Sequence, residues 1–236
     1  MEFTKLSAPS LKDLFVRQIQ SKILSGELTV GTRLPPEREL AEMMQVSRAV
    51  VNGGIAELSR QGFLTVSPRV GTIVADYRRS GTIETLLAIM DFQGQMLGQL
   101  EISSLLQVRK ALEQLGVRQV ILLASDAQIK DLGHILDRLA QAESTAQAAE
   151  LAYTFHHELM LTSGNTILPL LYCSCKGPIV SLWTQFLHQY GLNALLQNME
   201  QLYRLICQRD GPGASAWIDS YLEQSITGPR QIRTEV

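Results

Sequence analysis

The stretch Gly31-Thr32-Arg33-Leu34-Pro35-Pro36-Glu37-Arg38-Glu39-Leu40-Ala41, followed by Val46-Ser47-Arg48, decides how the first third of the chain folds. Two prolines end an extended piece and pre-set the start of a short helix reaching Met44. Gln45-Val46 is then a tight connection, and Ser47 is placed to cap a third helix that runs to Gln61 and stops at Gly62. Working back from the stretch, Leu11, Leu14, Phe15, Ile19 and Ile23 recur at helical spacing between a capping Ser10 and a terminating Gly26. Working forward, Leu64-Thr65-Val66 and Thr72-Ile73-Val74 read as two short strands around the turn Ser67-Pro68-Arg69-Val70-Gly71. Helix, helix, tight turn, helix and hairpin is the layout of a winged helix-turn-helix.

The remaining two thirds carry no strand signal. Residues 82–96, 97–123, 127–142, 147–162, 167–189, 192–209 and 213–225 each show helical apolar spacing, broken at Ser125-Asp126, Ser163-Gly164-Asn165, Gly191 and Asp210-Gly211-Pro212-Gly213. The predicted fold class is therefore mainly α: a winged helix over 1–76, a polar linker at 77–81, and an all-α bundle of about six to seven helices over 82–228. Residues 229–236 are expected as a tail.

Charge supports the division. The whole chain has 236 residues, 45% of them hydrophobic, and a formal net charge of −2, ordinary globular values that exclude disordered and histone-like chains. Residues 1–79 hold 11 Lys and Arg against 8 Asp and Glu, whereas the rest hold 10 against 15. The first part is thus the one suited to a polyanion. The start, MEFTKLSAPSLKDL, has no apolar core of signal-peptide length, and no run approaches a membrane span, so a cytoplasmic protein without a membrane partner is expected. Cys173, Cys175 and Cys207 are odd in number, and read as free thiols.

The motif Gly31-Thr-Arg-Leu-Pro-Pro-Glu-Arg-Glu-Leu-Ala, with Val46-Ser47-Arg48, Glu57-Leu58, Gly62-Phe63-Leu64 and Gly71-Thr72, closely resembles the GntR family of bacterial transcription regulators. The helical remainder resembles the FadR subgroup of that family, through Val108-Arg109-Lys110-Ala111-Leu112-Glu113, Phe155-His156 and Ser163-Gly164-Asn165. The resemblance implies a homodimer that binds a short palindromic double-stranded operator and responds to a small effector held in the helical domain.

On the DNA side, Ser47 and Arg48 stand at the start of the recognition helix, where a guanidinium can reach guanine O6 and N7 bidentately. Arg38 is expected on the same face by resemblance, Thr32 or Arg33 as a backbone contact, and Arg69 and Thr72 at the wing beside the minor groove. Where the family commonly has a second arginine, this chain has Asn52, which either reads adenine through its amide or is solvated. Pro68 and Arg69 stand where the wing often carries glycine, and Gly53-Gly54 weakens the recognition helix by about 1 kcal/mol per residue relative to alanine.

On the effector side, many relatives hold a metal through an aspartate and three histidines. The matching positions here are Ala152, His156, Met199 and Tyr221, so no metal or other cofactor is expected. That points to a fatty acyl or acyl-CoA ligand, with a small carboxylate, or a helical domain that only dimerises, as alternatives. The expected effector residues are Arg109, His156, Asn165, Trp183 and Tyr221. Arg109 meets either an anionic ligand group or an internal carboxylate such as Glu113, and Asn165 is either a helix cap or a polar pocket group. The aromatics, with Tyr190 and Trp217, are either pocket walls or core. No nucleophile–base constellation or Gly-rich phosphate loop occurs, so the chain is not expected to be an enzyme.

Overall fold

The computed structural model describes residues 9–93 and 99–232, and the chain divides into two compact units, Met1–Phe92 and Gln93–Val236. The first unit contains α1 (Leu11–Leu24), α2 (Glu37–Met43), α3 (Arg48–Arg60), β1 (Leu64–Ser67), β2 (Gly71–Val74), α4 (Tyr77–Ser80) and α5 (Ile83–Gln93). Ser10 caps α1 in a reciprocal box with Asp13, and the Ser47 hydroxyl accepts from Val50 N–H at the start of α3. Between α2 and α3 the chain reverses at Gln45, whose φ of 52° is left-handed, and the turn closes with Val46 N–H donating to Ala41 C=O at 3.0 Å. The two strands pair antiparallel, Leu64 opposite Val74 and Ser67 opposite Gly71. The segment before α2 adds a third edge: Leu34 N–H donates to Thr72 C=O and Val74 N–H to Thr32 C=O, each at 2.9 Å.

Phe15, Ile19, Val51, Leu58 and Phe63 form the centre of this unit's core. The glycine pair in α3 has a packing reason at one position only. A Cβ on Gly54 would lie 2.2 Å from Phe15 Cδ1, so the glycine lets α1 and α3 approach closely enough to bury that ring. A Cβ on Gly53 would meet only Lys12 Cδ, at 3.5 Å.

The expected linker at 77–81 is instead α4 with its flanks, and α5 belongs to the first unit rather than opening the helical domain. The cause is local packing. Thr85 is buried over Gly62, where even a methyl group would come within 2.8 Å of its hydroxyl; Arg60 pairs with Glu84 at 2.9 Å; Ala88 and Ile89 pack on the core. The expected boundary between helices at residues 96 and 97 lies outside the described residues.

The second unit contains α6 (Gln99–Leu123), α7 (Asp126–Ala140), α8 (Thr145–Thr162), α9 (Leu168–Ser174), α10 (Lys176–Cys207) and α11 (Gly211–Ile226). α8 packs against α7 and α10, and α11 against α6. The expected helix over 167–189 is two, because the chain breaks at Cys175. The break expected at Gly191 is present as left-handed backbone (φ 78°) inside α10. Residues 229–232 of the expected tail are folded back: Ile232 is buried, and Gln231 C=O accepts from the Tyr190 hydroxyl at 2.7 Å. Residues 233–236 lie outside the described residues.

Substitution should separate the two glycines of α3. Gly54→Ala is expected to lower unfolding free energy by about 1–3 kcal/mol through overpacking, while Gly53→Ala raises it by up to about 1 kcal/mol. Urea denaturation of the two variants checks this, and equal effects would remove the close-approach explanation.

Candidate nucleic-acid interface and a buried polar cluster

A groove of about 400 Å³ runs between the starts of α2 and α3 and the hairpin, lined by Arg33, Glu37, Arg38, Arg48, Gly71 and Thr72 among others. Ser47 and Arg48 are exposed at the first turn of α3, where unsatisfied backbone amides also favour anions. Arg38 is exposed and sits 3.5 Å from Glu42, one turn along α2. Arg33 is exposed in the edge segment, its guanidinium laid over Gly71, where a Cβ would be 3.0 Å from Nε. Arg69 projects from the wing in a left-handed conformation (φ 68°), which costs a non-glycine residue about 1–2 kcal/mol. Thr72 is buried on β2 and forms groove floor rather than wing tip. Of the expected residues, Arg33, Arg38, Arg48 and the buried Thr72 line this one groove, together with Glu37, while Ser47, Asn52 and Arg69 are exposed outside its lining.

Asn52 is exposed on α3, but its amide is already engaged. One terminal atom of that amide lies 2.7 Å from Glu37 Oε2 and 3.2 Å from its own helix's Arg48 C=O, and because both are acceptors it is assigned as the nitrogen. The orientation follows from those neighbours, since only a donor satisfies both. The bidentate contact with adenine that the residue type suggested needs those same hydrogens.

In the second unit a carboxylate is the hub. Glu113 of α6 is fully buried and accepts from Arg109 Nε at 2.5 Å, one turn earlier, and from the Tyr221 hydroxyl of α11. His156 of α8 brings Nδ1 to 3.2 Å from Glu113 Oε1, and its Nε2 is 3.4 Å from Arg109 Nη2. Arginine has no acceptor, so Nε2 is the unprotonated nitrogen and Nδ1 carries the hydrogen. Trp183 of α10 stacks on the His156 ring, with the Arg109 guanidinium 4.0 Å above its own ring centre. The structure thus shows the internal ion pair for Arg109. Burial alone would raise Glu113, yet the Arg109 charge, His156 and the Tyr221 hydrogen bond hold it below the ordinary carboxylate range.

The other expected effector residues divide. Asn165 has a local backbone role, not a pocket one: its side-chain oxygen accepts from Ile167 and Leu168 N–H at 3.0 Å, in the turn that leads into α9. Tyr190 and Trp217 donate to backbone carbonyls of Gln231 and Asn198. Tyr172 of α9, which the sequence reading did not single out, lies in the cluster, with ring centre 6.4 Å from that of His156. Its hydroxyl and Trp183 Nε1 are buried without a hydrogen-bond partner. No spacing signal marks Tyr172, because it comes from a separate helix.

The four positions that would match a metal site do not fit one. Ala152 offers a methyl group, Met199 a buried thioether, and the Tyr221 hydroxyl is committed to Glu113, which leaves one imidazole. A divalent ion at such a site needs three or four N, O or S ligands. Among the described residues, no other group of His, Cys, Asp and Glu gathers in that number.

Burial pushes His156 down to about 4; Glu113 opposes the shift and the Arg109 charge adds to it. The unfolded chain titrates nearer 6.5 and so binds the extra proton first as pH falls. This contribution to stability is complete above about pH 6.5 and is lost on descent toward pH 4. Between pH 7 and pH 5 the loss should be about 2 kcal/mol, and His156→Gln should remove most of that slope. Urea melts at the two pH values measure it; an unchanged slope in the variant would place the acid sensitivity elsewhere.

Comparison with known proteins places these two units. Residues 13–74 match the bacterial regulatory proteins of the gntR family, and residues 104–224 match the FCD domain. A fatty acid metabolism regulator protein of Shewanella pealeana is 26% identical over 207 residues, 87% of this chain and 84% of the relative. An uncharacterised HTH-type transcriptional regulator of Mycobacterium tuberculosis is 28% identical over 210 residues, 88% of this chain and 84% of the relative. Among solved structures, that of Lar, which controls the expression of the Listeria monocytogenes agr system, matches with a TM-score of 0.62 at 15% identity. It covers 94% of this chain and 98% of that one, a likeness of fold. With a recognition helix and wing in the first unit and an FCD helical bundle in the second, the chain belongs to the GntR family of bacterial transcription regulators.

Proposed function

We propose that this regulator binds a short palindromic operator as a homodimer and changes its hold on DNA when an acyl ligand enters the helical domain. The observation that carries the DNA half is the single cationic groove formed by Arg33, Arg38 and Arg48 at the start of α3. Arg48 reads guanine, Arg38 supports it from α2, and Arg69 follows the minor groove from the wing. Two such faces, spaced by the dimer, match two half-sites one helical turn apart.

The effector class follows from charge and donor chemistry. Arg109 is neutralised by Glu113, and the residues at Ala152, Met199 and Tyr221 cannot assemble a metal that would hold a small carboxylate. An acyl chain gains most of its affinity from apolar burial and needs neither. Relatives named fatty acid metabolism regulators support the same class. The ligand acts by favouring a dimer geometry that no longer fits the half-sites, and its affinity must differ between the two geometries by the free energy that DNA binding loses.

Fluorescence anisotropy on a selected palindromic duplex tests both halves. Arg48→Ala should weaken specific binding about tenfold or more. Palmitoyl-CoA should displace wild-type protein from the duplex, and organic extraction of the purified protein should yield an acyl species. Displacement by small carboxylates alone, or by no ligand, would replace the acyl reading with one of its rivals. At the wing, Arg69→Gly should stabilise the fold by about 1 kcal/mol while reducing the salt dependence of DNA binding by about one counterion. A gain in stability with an unchanged salt slope would take Arg69 off the DNA.

A further inference from the structure

We propose that Glu37, fastened by Asn52, is a base-selecting residue that accepts a hydrogen bond from the exocyclic amine of cytosine in the major groove. The inference rests on the DNA-docking reading above and goes beyond it, because it assigns a residue and a base.

Three observations carry it. Glu37 is exposed and lines the same groove as Arg33, Arg38 and Arg48. With the Asn52 amide oriented as its acceptor neighbours require, its nitrogen donates to Glu37 Oε2 at 2.7 Å and bridges α2 and α3 at the foot of the recognition helix. The second hydrogen of the same amide is committed to Arg48 C=O at 3.2 Å. Both amide hydrogens are therefore used inside the protein. What the Glu37–Asn52 pair presents outward is acceptors only: carboxylate oxygen and the Asn52 side-chain oxygen.

Base edges respond to that pattern unequally. Guanine shows N7 and O6, thymine shows O4, and each sets an acceptor against an acceptor. Adenine offers its N6 amine but places acceptor N7 beside it. Cytosine alone offers an amine with no neighbouring acceptor on its major-groove edge, and a carboxylate partner for C N4 is an established geometry. An arginine at position 52 would reverse the preference by pointing donors at guanine. A carboxylate among the arginines also weakens attraction to phosphate for every sequence, so it lowers non-specific affinity while it selects. Glu37 thus has two separable signatures: discrimination lost and overall affinity gained when its charge is removed.

The test is in vitro selection from duplexes with a randomised core, using full-length wild type, Glu37→Gln and Glu37→Ala, with binding constants for the winning duplex and its single-base changes. Wild type should select cytosine at one fixed position of each half-site, on the order of tenfold over the other bases. Glu37→Gln should move that position toward adenine, since a glutamine amide matches N6 and N7 together, and Glu37→Ala should leave it unselective. Both variants should bind random duplex as well as or better than wild type, with far-UV melting little changed. Selection of the same bases with the same ratios by all three proteins overturns the assignment and leaves the docking reading standing. Failure of wild type to select any motif overturns both.

Discussion

The Glu113 carboxylate is the constraint around which the helical unit is organised. A fully buried anion in a protein interior costs several kcal/mol unless it is surrounded by donors, and here Arg109, one turn away on α6, and the Tyr221 hydroxyl from α11 supply them, with the His156 ring of α8 beside the carboxylate at 3.2 Å. Trp183 of α10 closes the arrangement by stacking on both the imidazole and the guanidinium. Interdigitated apolar side chains already hold α6, α8, α10 and α11 against one another. The cluster adds a directional constraint, because a displacement that separates Arg109 from Glu113 leaves a buried charge unpaired.

The same cluster leaves the four positions 152, 156, 199 and 221 without a set of metal ligands. Tyr221 spends its hydroxyl on Glu113, and Ala152 and Met199 fill their positions with apolar atoms. The site becomes charge-balanced from within. In the first unit a comparable economy operates at the surface: Asn52 is spent on Glu37, leaving Arg48 as the donor at the start of the recognition helix. In both cases a polar side chain is taken up by an internal partner.

The winged helix was largely legible because its punctuation is local. Pro35-Pro36, the Ser47 cap, Gly62 and the turn from Ser67 to Gly71 each act on their own few residues, and the elements begin and end where those signals fall. The six helices of the second unit were also legible from apolar period, apart from the break at Cys175. The domain edge was not. Nothing in the composition of residues 82–93 tells that Thr85 seats on Gly62 or that Glu84 meets Arg60. Those are contacts between α5 and the end of α3, more than twenty positions apart in sequence.

What the sequence determined by itself is the class of each half and the identity of the groups that carry charge: the arginines at 33, 38 and 48, the ligand-poor set at 152, 156, 199 and 221, and the Arg109–Glu113 pair at helical spacing. Tertiary structure decided what each group faces. It buried Thr72, tied Asn165 into the turn before α9, brought Tyr172 to His156, and set Asn52 against Glu37. The physical reason is range. Caps, turns and periodicity act over about one helical turn, whereas the partner of a buried or bridging polar group is chosen by whichever distant segment packs within hydrogen-bond reach.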